Sequence, residues 1–228
     1  MNVKLWDLLH GVPLTGESFT WDMEITSISY DTRTIRPGAL FLALPGAKDD
    51  GARFIPEALE KGAAAVLCES LPEGEGPWLQ TPDTRRALAL VSANWFDHPG
   101  RELTLIGVTG TNGKTTTTYL IKELLERAQR TKVGLIGTIQ NQIGTQILPA
   151  HRTTPESYEV QQLLRQMADA GCTHVVMEVS SHALVQHRVE GLTFAAGVFT
   201  NLTQDHLDYH RTMEEYREAK GLLFRQCQ

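Results

Sequence analysis

Gly107-Val108-Thr109-Gly110-Thr111-Asn112-Gly113-Lys114-Thr115-Thr116 is the stretch on which the reading of this chain turns. The apolar run Leu103 to Val108 leads into it, and Leu120, Ile121, Leu124 and Leu125 follow at helical spacing. Strand, glycine-rich turn and helix, in that order, are the setting a phosphate-binding loop requires. The glycines let backbone N–H groups turn toward an anion, and the helix adds its positive N-terminal end. Gly110, Thr111, Asn112, Gly113, Lys114, Thr115 and Thr116 then form the candidate ATP cradle. Lys114 brings a cation to the β- and γ-phosphates, and the Thr115 hydroxyl helps hold Mg²⁺. The common pattern has a glycine five residues before Gly113. This chain has Val108 there, so only the shorter Gly110-x-x-Gly113-Lys114-Thr115 core matches. The plain alternative is a glycine turn followed by an ordinary surface lysine.

The chain has 228 residues, 41% of them hydrophobic and 21% charged, which is the balance of a globular protein with material for real cores. A formal net charge of −6 and the lack of any Lys/Arg-rich tract argue against a nucleic-acid partner. Cys68, Cys172 and Cys227 are odd in number and far apart, and read as buried free thiols in a reducing compartment. Met1 to His10 mixes Lys4 and Asp7 with apolar residues, unlike a signal peptide, and no apolar run is long enough to span a membrane. The expectation is a cytoplasmic protein without membrane insertion.

Two parts follow along the chain, with no internal repeat. Residues 1–98 carry strands at Ile25 to Tyr30, Ala39 to Leu44 and Ala63 to Cys68, and helices at Phe54 to Lys61 and Thr84 to Phe96. Asp97-His98-Pro99-Gly100 breaks the pattern and marks a domain boundary. Residues 99–228 continue with strand Val133 to Ile139, helix Tyr158 to Ala170, strand Thr173 to Val179, strand Ala195 to Asn201 and helix Met213 to Gln226. Alternating strands and helices predict an α/β fold: a small first domain, then a phosphate-loop domain on a mostly parallel sheet with both faces covered. Ligands bind along the rim formed by the strand C-terminal ends. The loop after Val108, Glu178 to Ser181, and Asn201 to His210 all fall at such ends.

Glu178 closes the apolar strand Thr173 to Met177, where an NTPase keeps a metal carboxylate. An edge acid in solvent is the alternative. In Asn201-Leu202-Thr203-Gln204-Asp205-His206-Leu207-Asp208-Tyr209-His210, the two histidines and the acids offer either a ligand to a second Mg²⁺, a two-histidine zinc site, or plain hydrogen-bonding loop residues. Ser180-Ser181-His182 lacks the glycine-flanked nucleophile elbow of a serine hydrolase. Its hydroxyls, like those of Thr153-Thr154-Pro155, suit substrate binding, or the latter simply cap a helix. By pattern alone, Lys220 reads as a surface helix lysine.

Thr109 to Thr116, Glu178-Val179-Ser180-Ser181-His182, Asn201 to His210 and the Ala219-Lys220 helix together resemble the Mur ligase family of peptidoglycan synthesis. Asp31-Thr32-Arg33, Gly46-Ala47-Lys48-Asp49-Asp50-Gly51 and Gln186-His187-Arg188-Val189 narrow the resemblance to its MurE type. The Val108 departure is also what that family shows. Folylpolyglutamate synthetases share the phosphate loop but fit the first hundred residues and the Glu178 to Val189 stretch poorly.

The resemblance implies three domains: one for the UDP-sugar (1–98 here), a central ATPase (99–228 here, incomplete), and a third for the incoming amino acid, which this chain lacks. It implies amide formation through an acyl phosphate, adding a diamino acid, meso-diaminopimelate or L-lysine, to UDP-N-acetylmuramoyl-L-alanyl-D-glutamate, by a monomer using ATP and Mg²⁺. Lys114, Glu178, His206 and Lys220 become the catalytic set. Thr115, Glu178, His206 and a carbamylated Lys220 become the metal-holding set. Tyr30, Thr32, Ala47, Lys48 and Asp49 fall at the UDP-sugar end, and Thr153, Thr154, Ser180, Gln186 and Arg188 at the peptide end. Arg188 suits two-point pairing with a carboxylate. A fragment of this kind is expected to be inactive alone, and a non-catalytic nucleotide- or UDP-sugar-binding module is the other reading.

Overall fold

A computed structural model describes residues 2–17, 22–46, 50–73 and 76–228. Ala47, Lys48 and Asp49, expected at the UDP-sugar end, lie outside the described residues. The fold divides into two compact units, Met1–Trp95 and Phe96–Gln228.

In the first unit, β1 (Val3–Lys4) leads into the short helix α1 (Leu5–Leu8), followed by β2 (Gly16–Glu17), β3 (Glu24–Ile25) and β4 (Ser27–Ser29). Then come β5 (Ala39–Leu42), α2 (Ile55–Glu60), β6 (Ala63–Cys68), β7 (Trp78–Gln80) and α3 (Thr84–Trp95). The expected strand Ile25 to Tyr30 is two strands with different partners. β3 pairs antiparallel with β1, whereas β4 joins a five-stranded sheet of order β2-β7-β6-β5-β4. In that sheet β4 to β7 run parallel and β2 antiparallel. β5 is buried along its whole length, as its unbroken apolar sequence requires.

The second unit opens with β8 (Thr104–Thr109), α4 (Lys114–Gln129) and β9 (Lys132–Ile136). A hairpin follows, β10 (Gln140–Ile143) and β11 (Gln146–Pro149), which the sequence reading missed by running the preceding strand on to Ile139. The strand stops because Gly137 leaves it, and Ile139 is exposed. Next are α5 (Ser157–Asp169), β12 (Cys172–Glu178), α6 (Ser181–Val185), β13 (Ala196–Phe199), α7 (Leu207–His210) and α8 (Met213–Arg225). The sheet order is β11-β10-β9-β12-β8-β13, with β9, β12, β8 and β13 parallel. Met177 sits opposite Ile136, Glu178 opposite Val108 and Phe199 opposite Thr109, so four strand ends share one rim.

Alternation along β12 explains how both sheet faces are covered. Val175 and Met177 enter a core with Val160, Leu164 and Met167 of α5, Leu223 of α8, and Phe194 just before β13. Val176 points to the other face and packs with Val108, Val133 and Leu135 beneath Tyr119, Ile121 and Leu125 of α4. The apolar spacing seen in α4 is only half used: Leu120 and Leu124 are exposed, while Thr118 and Lys122 are buried. Cys68 and Cys172 are buried free thiols, and Cys227 is half-buried. Burial pushes the Cys68 thiol up to about 11, which makes it a poor nucleophile. Among the described residues no helix is long and apolar enough to cross a membrane.

Candidate functional site

The phosphate loop leaves β8 at Thr109 and enters α4 at Lys114, with Gly110 at φ 137° and Gly113 at φ 82°. Both values are costly for a side chain bearing Cβ. At Gly110 a Cβ would also collide with the Thr200 hydroxyl. Thr200 follows β13 directly, so the loop lies against the next strand's exit. Asn201 clamps it there. Its Oδ1 accepts from the Asn112 N–H at 3.0 Å, its Nδ2 donates to the Asn112 carbonyl at 3.1 Å, and its own carbonyl accepts from the Thr111 N–H at 2.9 Å. Thr111 Oγ1 reaches the Thr203 carbonyl at 3.1 Å and the Tyr216 hydroxyl at 3.2 Å.

This clamp was not foreseen by residue, although Asn201 opens the ligand-dense segment singled out by composition. Asn201→Ala removes both side-chain bonds, each worth about 1 kcal/mol net. It is expected to weaken nucleotide binding about tenfold, by calorimetric titration. Unaltered affinity would mean that the clamp does not preorganise the loop.

Two lysines converge on this loop. Lys114 Nζ donates to the carbonyls of Gly110 (2.9 Å) and Thr111 (2.7 Å). Lys220 Nζ donates to the same Gly110 carbonyl at 2.8 Å and lies 4.4 Å from the Tyr216 ring centroid. The pattern reading of Lys220 as a surface lysine is corrected here, since the residue is 1% exposed. Tyr216, Ala219, Lys220 and Leu223 are the buried positions of α8, and their spacing of i, i+3, i+4, i+7 is the signal that could have found it. Burial, and next the charge of Lys114, pulls the Lys220 pKa down to about 8. Burial also lowers that of Lys114, against the opposing pull of Glu178 and Asp205.

Glu178 is fully buried at the end of β12. Its Oε1 accepts from the Thr138 N–H and its Oε2 from the Thr138 hydroxyl, each at 3.0 Å. A carboxylate so far from water needs a positive charge to answer it. Lys114 is close enough for that carboxylate to oppose the lowering of its own pKa. A carboxylate, a threonine hydroxyl and nucleotide phosphates make the all-oxygen donor set that suits Mg²⁺, so the residues fit the ion. Among the described residues no three His, Cys, Asp or Glu side chains gather to hold one ion.

His206 is half-exposed and stands in the left-handed region at φ 52°, a conformation that costs a non-glycine residue on the order of 1 kcal/mol. It is the N-cap residue of α7 and meets His182 edge-on, ring centroids 4.9 Å apart. His210 is buried and its Nε2 lies 2.9 Å from Ser181 Oγ. That contact resembles a nucleophile–base pair, but Ser181 is 1% exposed and no substrate can reach it.

The expected peptide-end residues form one hydrogen-bonded patch beside Glu178. Thr154 Oγ1 donates to the Glu178 carbonyl at 2.8 Å and accepts from the Ser180 N–H at 3.1 Å, while Ser180 caps α6. Arg188 donates to the Thr154 carbonyl (2.9 Å) and to Gln186 Oε1 (2.7 Å), and pairs with Glu156 at 2.9 Å. Its guanidinium therefore braces the 154–156 loop. Glu156, buried and also paired with Arg152, is the residue the sequence reading overlooked.

In the first unit, Tyr30 and Thr32 come together with Asp31, Arg33, Phe41 and Phe54 around a cavity of about 360 Å³. Asp31 accepts from the Arg33 backbone N–H at 2.9 Å and from its guanidinium, which holds the Asp31 carboxyl below the usual range.

Residues 108–228 match the profile of the Mur ligase middle domain, and residues 24–94 that of the Mur ligase family, catalytic domain. A UDP-N-acetylmuramoyl-L-alanyl-D-glutamate–2,6-diaminopimelate ligase of Cytophaga hutchinsonii is 45% identical over 226 residues, covering 97% of this chain and 46% of its own. A protein of the same name from Chlorobaculum tepidum is 53% identical over 205 residues, covering 89% of this chain and 40% of its own. A solved structure of a ligase of that name superposes with a TM-score of 0.80 at 32% identity, covering 99% of this chain and 45% of that one. The chain spans about half the length of these relatives.

Proposed function

The chain belongs to the Mur ligase family, and from that premise we propose that the protein of which it forms part is an ATP-dependent amide ligase of peptidoglycan synthesis. Its substrates are 2,6-diaminopimelate and UDP-N-acetylmuramoyl-L-alanyl-D-glutamate, the compounds in its relatives' names. The observation that carries this reading is the single sheet rim on which Lys114 and buried Lys220 share one loop carbonyl and Glu178 ends the neighbouring strand. Residues 1–98 take the UDP-sugar, at the cavity around Tyr30 and Thr32, and residues 99–228 take ATP. The protein works as a monomer in the cytoplasm, where ATP and UDP-linked precursors are available.

The D-glutamate carboxylate attacks the γ-phosphorus, the bond from that phosphorus to ADP breaks, and an acyl phosphate forms. The amine then attacks the acyl carbon, loses a proton and expels inorganic phosphate. Positioning and charge neutralisation carry phosphoryl transfer more than covalent help does. Lys114 moves from the Gly110 and Thr111 carbonyls to the phosphates. Thr115, Glu178, His206 and a Lys220 carbamylated by CO₂ would hold Mg²⁺, which when bound would neutralise phosphate charge. Carbamylation needs a neutral amine, which the burial of Lys220 favours. Thr153, Thr154, Ser180, Gln186 and Arg188 line the peptide end.

The test uses the full-length protein with ATP, Mg²⁺ and the UDP-muramoyl dipeptide, and compares diaminopimelate with L-lysine. ADP release and a product heavier by one diaminopimelate residue are expected. Lysine product instead would overturn the amino-acid assignment. Binding of both nucleotides with no amide from either amine would overturn the ligase.

A further inference from the structure

We infer that Thr138 is a positioning residue that orients the Glu178 carboxylate toward the phosphate loop. Thr138 is 40 residues from Glu178 in sequence, yet it supplies a donor to each carboxylate oxygen, the backbone N–H to Oε1 and the hydroxyl to Oε2. Two donors on two oxygens of a planar group fix its rotation, and the free lone pairs then face one way. The carboxylate is wholly buried, so its oxygens depend on these two donors rather than on water.

The support is built from outside the rim. Gly137 brings its backbone so close that a Cβ there would lie 2.5 Å from Glu178 Oε1. The Gly137 N–H donates to Asn141 Oδ1 at 3.3 Å, and Asn141 Nδ2 donates to the Pro149 carbonyl at 3.2 Å. Asn141 is itself buried, so the β10–β11 hairpin braces the turn that carries Thr138. On its other side the Thr138 hydroxyl is 3.0 Å from that of Thr153, at the peptide end. One short side chain thus joins the carboxylate to the patch that faces the peptide.

With Glu178 holding Mg²⁺, as proposed above, Thr138 sets the ion's place through the carboxylate. Removing an outer partner of a metal ligand typically costs 10–100-fold in metal affinity. The experiment measures ATP affinity of the full-length protein by calorimetry across a Mg²⁺ series, and in EDTA, for wild type, Thr138→Val, Thr138→Ser, Gly137→Ala and Glu178→Gln. Thr138→Val keeps the shape and the N–H but loses the hydroxyl. It is expected to raise the half-saturating Mg²⁺ concentration about tenfold, with ATP affinity in EDTA unchanged. Thr138→Ser is expected to stay within about twofold of wild type, because it restores the hydroxyl. Gly137→Ala, which crowds Oε1 while keeping Thr138, is expected to shift the Mg²⁺ dependence in the same direction and tests the same carboxylate if Thr138→Val does not fold. A Mg²⁺ dependence that moves in Glu178→Gln but not in Thr138→Val or Gly137→Ala overturns the positioning role and leaves Glu178 as a metal residue. Equal loss of ATP affinity with and without Mg²⁺ in Thr138→Val also overturns it, because that is what a merely structural threonine would give. An unmoved Glu178→Gln overturns the metal reading itself.

Discussion

Lys114→Ala in the full-length protein is expected to lower ATP-dependent turnover by roughly 10³-fold or more, the scale of removing a preorganised charge from a reacting oxygen. The fold should survive. The side chain donates to the carbonyls of Gly110 and Thr111, at about 1 kcal/mol net per bond, and the loss of its charge near buried Glu178 adds to that cost. Relief of a partly desolvated ammonium offsets some of that, since burial already disfavours its charged form. Lys114→Arg should rescue little, because a planar guanidinium does not fit where a compact ammonium turns back on its own loop. Steady-state ADP release and thermal melting measured on the same preparations decide the matter. Full turnover in Lys114→Ala would remove the loop from the chemistry, whereas a collapsed melting curve would make the lysine structural.

The loop around Lys114 was legible because its signal is local: two glycines, a lysine and a hydroxyl within six residues, between an apolar strand and a helix. Glu178 was legible for a related reason, as an acid closing an apolar run can only sit at a strand end. The hairpin Gln140–Ile143 and Gln146–Pro149 was not. Neither Gln-Asn-Gln-Ile nor Gln-Ile-Leu-Pro alternates polar with apolar, and only Asn141 and Ile143 of the first are buried. With the hairpin went Thr138, whose meaning depends on a carboxylate 40 residues away. The apolar spacing of α4 misled in the opposite sense, because two of its four leucine and isoleucine positions face outward and Lys122 takes a buried place, paired with Glu126. Register and crossover decide such pairings, and neither leaves a trace in a window of ten residues.

Lys220 combines the two kinds of evidence, and its replacement is expected to separate function from stability. Folded, the ammonium is buried beside Lys114 and its pKa is about 8; unfolded, it returns to about 10.5. Between those values the unfolded chain holds more protons than the folded one, so stability rises with pH through that window. Below about pH 8 the cost of the buried charge is present in full. Lys220→Met, which fills the same volume without charge, is therefore expected to stabilise the protein at pH 7 by about 1–3 kcal/mol, and the gain should fade as pH approaches 10. The lost bond to the Gly110 carbonyl reduces the gain but does not reverse it. Turnover should nonetheless all but vanish in Lys220→Met and in Lys220→Ala. A lysine kept at a cost to stability on the inward face of α8 serves the rim it points to. If carbamylation is that service, short carboxylates added to Lys220→Ala should restore part of the rate, and Lys220→Arg, which carries charge but forms no carbamate, should remain inactive. Melting curves from pH 7 to 10 and rates with and without added acetate test both halves. A destabilised Lys220→Met at pH 7 would refute the buried-charge account, and a fully active Lys220→Arg would refute the carbamate.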